Sequence, residues 1–172
     1  MALRTDSFDL GGLHLSAGEG RRLDLDVAIE SFELGGQRYQ VDPPLVHSRL
    51  DVSRTTGHGY AFRLRFEATL DGPCMRCLEQ ASAVFAIDAR EVSQPGGDEE
   101  LSSPYVARDE LDVHAWARDA LALALPTRIL CQAECAGLCA VCGENLNRAG
   151  AGHTHERGLD PRWAKLSELR FE

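Results

Sequence analysis

Six cysteines in closely spaced groups are the feature that most constrains how this chain can fold. One pair lies in "CMRC", and four more follow in "CQAECAGLCAVCG", distant in sequence from the first pair. Zinc prefers four ligands in a tetrahedron and binds thiolates well, and C-x2-C places two sulfurs within one turn. The spacing therefore predicts a structural zinc ion. We take all six as candidate metal ligands: Cys74, Cys77, Cys131, Cys135, Cys139 and Cys142.

Three pairings could complete a four-thiolate site. The first joins the pair Cys74/Cys77 to Cys139/Cys142, and the second joins the same pair to Cys131/Cys135. The third is local and uses all four cysteines of the later group. Because one such site needs four thiols and two would need eight, the sequence predicts one structural Zn2+. His153 and His155 in "GHTHERG" could complete a second site, but histidines in a glycine-rich loop are more often bystanders, so both stay outside the prediction.

The sequence disfavours two other uses of the cysteines. The N-terminus, "MALRTDSFDLGG", lacks the charged and apolar regions of a secretory signal, and no window approaches eighteen apolar residues. We therefore expect a cytoplasmic protein, in which thiols remain reduced. Neither CxxC opens a helix after a βα turn, as in thioredoxin-like motifs. A thiol redox or metal-handling protein remains an alternative. An RNA-processing enzyme is a weaker one, because the histidines have no catalytic spacing and no catalytic residues are predicted.

Hydrophobic periodicity predicts an α+β fold in a single domain. In "YAFRLRFEATL" apolar and polar residues alternate, which is typical of a strand with one face in the core. In "DVHAWARDALALALP" the spacing changes to three and four, which predicts a helix between Asp112 and Pro126. We expect a strand-rich part over 1–92, an acidic loop over 93–104, and a helix with a cysteine-rich tail over 105–172. The sheet should be antiparallel and either barrel-like or curved, and "DPRWAKLSELRF" predicts a short C-terminal helix.

Three segments together carry a resemblance to a known family. The segments "CMRCL", "ALPTRILCQAECAGLCAVCGENLN" and "DPRWAKLSEL" resemble the YceD-like family, the large ribosomal RNA subunit accumulation proteins. The resemblance covers about residues 73–169. It implies a small bacterial cytosolic protein that supports 23S rRNA accumulation and large-subunit biogenesis, in a family of unknown mechanism that is not known for enzymes. Members usually carry the first CxxC, and some lack the last CxxC but keep the C-x3-C positions. The resemblance thus favours the second pairing, or a shared arrangement, over the local site, and it leaves the first pairing open.

The charge of the chain bears on its partners. Its formal net charge is −9, whereas proteins that grip nucleic acid by its phosphates usually carry a basic patch. We expect the partner to be the large-subunit rRNA precursor, a basic ribosomal protein, or both, and acidity favours the protein. The acidic stretch over 98–110 is a candidate contact, although a solvated loop is the simpler interpretation. Neither a membrane nor a small-molecule substrate is expected.

Overall fold

The computed structural model describes residues 3–4, 6–94, 96, 101–150 and 152–155. They form a large, mostly antiparallel sheet, a small three-stranded sheet, one main helix and a cysteine-rich segment. The strands are β1 (Leu3–Arg4), β2 (Ser7–Asp9), β3 (Gly20–Ala28), β4 (Phe32–Leu34), β5 (Gln37–Asp42), β6 (Leu45–Arg54), β7 (Tyr60–Pro73), β8 (Gln80–Ser93), β9 (Val106–Ala107) and β10 (Glu110–Asp112). The helices are a 3-10 turn (Gly11–Leu13), α1 (Val113–Ala124) and α2 (Leu146–Ala149).

β7 lies at the centre of the large sheet and follows the predicted alternation. Its core-facing side chains are buried, and the residues between them are partly or fully exposed. The buried set is Tyr60, Phe62, Leu64, Phe66, Ala68 and Leu70. β8 pairs with one edge of β7 along its full length, while β6 and β5 share the other edge. Pro43 and Pro44 separate β5 from β6, because proline cannot donate to the ladder.

The large sheet is open. Its strand order is β1-β3-β6-β7-β5-β4, with β8 added to the free edge of β7. In the part of the chain that the structure describes, no ladder joins β8 to β1 or β4. Of the two predicted forms, the fold is therefore a curved sheet and not a barrel.

α1 covers one face of this sheet and begins where the sequence predicts. The Asp112 carboxylate accepts a hydrogen bond from the Ala115 amide (2.8 Å), and the helix ends immediately before Leu125 and Pro126. Trp116 is buried, with its ring centroid 6.2 Å from Phe62 in β7. Because burying a large aromatic side chain contributes strongly to stability, the packing of Trp116 attaches α1 to the sheet.

The remaining helices and the acidic loop can be compared only in part with the prediction from the sequence. α2 has no counterpart among the helices predicted from the sequence. The helix predicted from Asp160 lies outside the described residues, as do Pro95 and residues 97–100 of the acidic loop. No helix among the described residues is long and apolar enough to cross a membrane.

Candidate metal centre

The first cysteine turn, residues 74–79, joins β7 to β8. The Cys74 amide donates to the Glu79 carbonyl (2.7 Å), and the Leu78 amide donates to the Cys74 carbonyl (2.9 Å). Leu78 has a left-handed backbone with φ of 62°. The Arg76 amide approaches the Cys74 Sγ at 3.5 Å. Hydrogen bonds of this kind favour the thiolate, which is the form that binds metals.

Hydrogen bonds hold the segment that follows α1 against this turn. The Met75 amide donates to the carbonyl of the buried Ile129 (2.9 Å), and the Arg76 guanidinium donates to the Cys135 carbonyl (2.7 Å). Gly137 has φ of 80°, and a Cβ at this position would lie 3.2 Å from the Arg76 carbonyl oxygen. Glycine therefore permits both the backbone conformation and the close approach.

Four sulfurs meet where these segments touch. Cys74, Cys77, Cys131 and Cys135, hereafter the first cluster, have their Sγ atoms within 4.8 Å of one another. Cys74 and Cys135 are 3.7 Å apart, and Cys77 and Cys131 are 3.5 Å apart. A tetrahedral zinc with Zn–S bonds of about 2.3 Å separates its sulfurs by about 3.8 Å. Three of the cysteines are buried and Cys131 is exposed. The first cluster could therefore hold a metal ion.

Of the three pairings left open by the sequence, the structure brings together the sulfurs of the second one alone. The other two candidate ligands, Cys139 and Cys142, lie in a separate group with His153 and His155, hereafter the second cluster. The sequence indicates that both histidines are bystanders, yet their Nε2 atoms lie 3.4 and 3.2 Å from the Cys142 Sγ. The available signal was the H-x-H spacing shortly after the last CxxC.

The thiols of the first cluster differ in their readiness to ionise. Burial opposes ionisation of Cys74, but backbone amides, those of Arg76 and Cys77 foremost, outweigh burial and lower its pKa to about 6. A hydrogen bond from the Asn147 side chain lowers the pKa of Cys135. The contact with Cys77 raises the pKa of Cys131 to about 12. A divalent cation would thus meet Cys74 largely as a thiolate and displace protons from the other thiols.

Comparison with known proteins places this chain in a family. The model for the "Large ribosomal RNA subunit accumulation protein YceD" matches residues 62–170, which is well over half of the chain. The chain belongs to the YceD family. The matched region begins within β7 and contains every residue of both clusters.

Relatives of this YceD-family chain occur in mycobacteria. Uncharacterized proteins of Mycobacterium bovis and Mycobacterium tuberculosis are 35% identical over 165 residues, which cover 92% of this chain and 67% of theirs. An uncharacterized protein of Mycobacterium leprae is 38% identical over 102 residues, which cover 56% of this chain and 46% of that protein. No solved structure matches the chain significantly. Membership of the YceD family agrees with the resemblance seen in the sequence.

Proposed function

We propose that this protein is a non-enzymatic, cytoplasmic factor that supports accumulation of 23S rRNA and assembly of the large ribosomal subunit. The observation that carries the proposal is the family match, which spans both cysteine turns and the segment between them. The mycobacterial relatives are uncharacterized, so they add sequence similarity but no function.

The first cluster supports a structural role for its metal. Four protein thiolates close a tetrahedral site, whereas a catalytic zinc keeps one position open for water or substrate. Zinc is the ion that such a donor set fits best. In this proposal Zn2+ is held by Cys74, Cys77, Cys131 and Cys135. It joins the tip of the β7–β8 hairpin to the chain that follows α1, and so shapes a surface without reacting.

The solvent face of the sheet bears on the partner. Two arginines there are paired with aspartates: Arg22 contacts Asp51 at 2.7 Å, and Arg63 contacts Asp88 at 2.6 Å. Arg22 holds the pKa of Asp51 below its usual range. Because these guanidinium groups already have anionic partners, the arrangement supports contact with a basic ribosomal protein more than direct binding of RNA phosphates. The rRNA precursor remains the other candidate partner.

Depletion of the protein in the organism that encodes it tests the role. We expect mature 23S rRNA and free large subunits to fall relative to 16S rRNA. Wild-type protein and an exposed control, Gln80→Ala, should restore both, whereas Cys74→Ser should not. Normal 23S rRNA levels after complete depletion would refute the ribosomal role. Cleavage of an rRNA precursor by the purified protein would instead support an enzyme.

A further inference from the structure

We propose that the second cluster (Cys139, Cys142, His153 and His155) is a separate zinc site that binds an ion of its own. Its donors are two thiolates and two imidazoles, a set that zinc binds in a tetrahedron. This inference goes beyond the ribosomal role and does not rest on it, because it follows from the local geometry of residues 138–155.

The second cysteine turn, residues 139–144, repeats the first cysteine turn bond for bond. The Cys139 amide donates to the Glu144 carbonyl (2.8 Å), and the Gly143 amide donates to the Cys139 carbonyl (2.9 Å). The Val141 amide approaches the Cys139 Sγ at 3.4 Å, as Arg76 does in the first turn. The same three bonds, at the same spacings, surround Cys74.

The surroundings of the two turns also correspond. Gly143 has φ of 76°, and its counterpart Leu78 has φ of 62°. Each turn is closed by an antiparallel pair at the same offset, which is Leu138 with Asn145 in one and Pro73 with Gln80 in the other. The chain therefore builds one ligand-presenting turn twice. The first copy meets two more cysteines, and the second copy meets two histidines.

The imidazoles converge on the second turn in a way that a metal explains. His153 and His155 bring their Nε2 atoms 3.4 and 3.2 Å from the Cys142 Sγ and 3.0 Å from each other, with the rings nearly perpendicular at 81°. Zinc with Zn–N of about 2.0 Å and Zn–S of about 2.3 Å separates N from S by about 3.5 Å and N from N by about 3.3 Å. The observed separations agree with these values to within a few tenths of an ångström.

The segment that carries the second cluster has no hydrophobic core. None of the described residues between 138 and 155 is buried, and Val141 is 66% exposed. α2 has four residues, too few for a helix to be stable by itself. A segment of this kind needs a cross-link, and a structural metal supplies one. The second ion accounts for order that apolar burial does not provide.

The second site would also support the first cluster. α2 and its N-cap lie between the two sites: the Asn147 amide group contacts the Cys135 Sγ at 3.4 Å, and Asn145 contacts the Glu79 carboxylate at 3.3 Å. Arg148 pairs with the same carboxylate at 2.8 Å. An ion that closes the loop from 139 to 155 would hold these contacts against the first cysteine turn.

Zinc content of the purified, reduced protein tests the proposal. We expect two zinc ions per chain in the wild type and one in the double variant H153A/H155A. The double variant H47A/H58A removes two exposed histidines outside both clusters and should keep two ions. With cobalt in place of zinc, H153A/H155A should lose about one third of the thiolate-to-metal charge-transfer absorbance, because two of the six thiolates belong to the second cluster. One ion in the wild type, or two in H153A/H155A, would overturn the proposal.

A measurement on the wild-type chain covers the case in which H153A/H155A does not fold. Cys142 is exposed, so alkylation reaches it quickly unless a metal holds its thiolate. We expect slow alkylation of Cys142 in the zinc-loaded protein and fast alkylation after chelation, read by mass spectrometry. Fast alkylation under both conditions would overturn the second site. Neither outcome bears on rRNA levels, so failure of this proposal and failure of the ribosomal role are distinguishable.

Discussion

Gly72 lies two residues before Cys74, directly against the ring of Tyr39, and we predict that Gly72→Ala destabilises the protein. A Cβ at this position would lie 2.8 Å from Cε1 and 2.9 Å from Cγ of the Tyr39 ring. Tyr39 is fully buried, and its hydroxyl donates to the Pro73 carbonyl at 2.7 Å. The ring therefore covers Gly72 and holds the backbone just before Cys74.

The size of the stability loss depends on which part of the structure can move to accommodate the new Cβ. β7 is paired on both edges near Gly72, so the strand cannot move away. The Tyr39 ring must shift instead, at a cost of about 1–3 kcal/mol for overpacking. If the shift also breaks the bond to Pro73, about 1 kcal/mol is added. We expect a loss of about 1–3 kcal/mol if this bond survives and about 2–4 kcal/mol if it breaks, compared with the roughly 5–15 kcal/mol that stabilises a typical domain.

Urea denaturation of the zinc-loaded protein measures this loss. Gly152→Ala is the matched control, because a Cβ there meets nothing within 4 Å, and it should change stability little. Tyr39→Leu should relieve the clash, so the double variant with Gly72→Ala should lose less than the sum of the single changes. If the free energy of unfolding of Gly72→Ala lies within about 0.5 kcal/mol of the wild-type value, the predicted clash with Tyr39 is refuted.

Three further predictions concern the metal and the helix. Chelation should lower the midpoint of thermal unfolding, since the ligands lose their cross-link; an unchanged melting curve after complete metal loss would contradict this. Asn147→Ala removes the hydrogen bond to Cys135 and should weaken zinc binding at the first cluster by about 10-fold or more in competition with a chelating dye, whereas the exposed Glu134→Ala should not. Asp112→Ala removes the cap of α1 and should cost about 1 kcal/mol in urea denaturation; no measurable change would show that the cap contributes nothing.

The strands and the main helix could be predicted because their signals are local. The alternation in β7 and the Asp112 cap depend on residues within a few positions of each other. The openness of the sheet could not be predicted, because it depends on which distant strands meet. The close packing of Tyr39 on Gly72 is of the same kind, since the two residues lie on different strands.

The candidate site also combines local features that the sequence predicts with long-range contacts that it does not. The two CxxC segments form separate turns of the same type, with the same backbone hydrogen bonds, so these bonds do not distinguish one turn from the other. The first turn is completed by Cys131 and Cys135 because Met75 bonds to Ile129 and Arg76 bonds to the Cys135 carbonyl. These contacts join residues more than fifty positions apart. Sequence spacing could therefore identify the turns and the six thiols, but could not choose among the three pairings.

The apolar packing of α1 on the sheet limits which part of the fold depends on the metal for its structure. Trp116 and its neighbours fix α1 to the sheet through apolar burial that needs no ion. After α1 ends, the chain has one buried apolar side chain, Ile129, and thereafter only Cys135 and Gly137 are buried among the described residues. Metal loss should therefore release the segment from about residue 127 to 155 while the sheet persists. A function that depends on zinc must then use the surface of this segment or of the adjoining hairpin tip, because no other described part of the fold needs the ion to keep its shape.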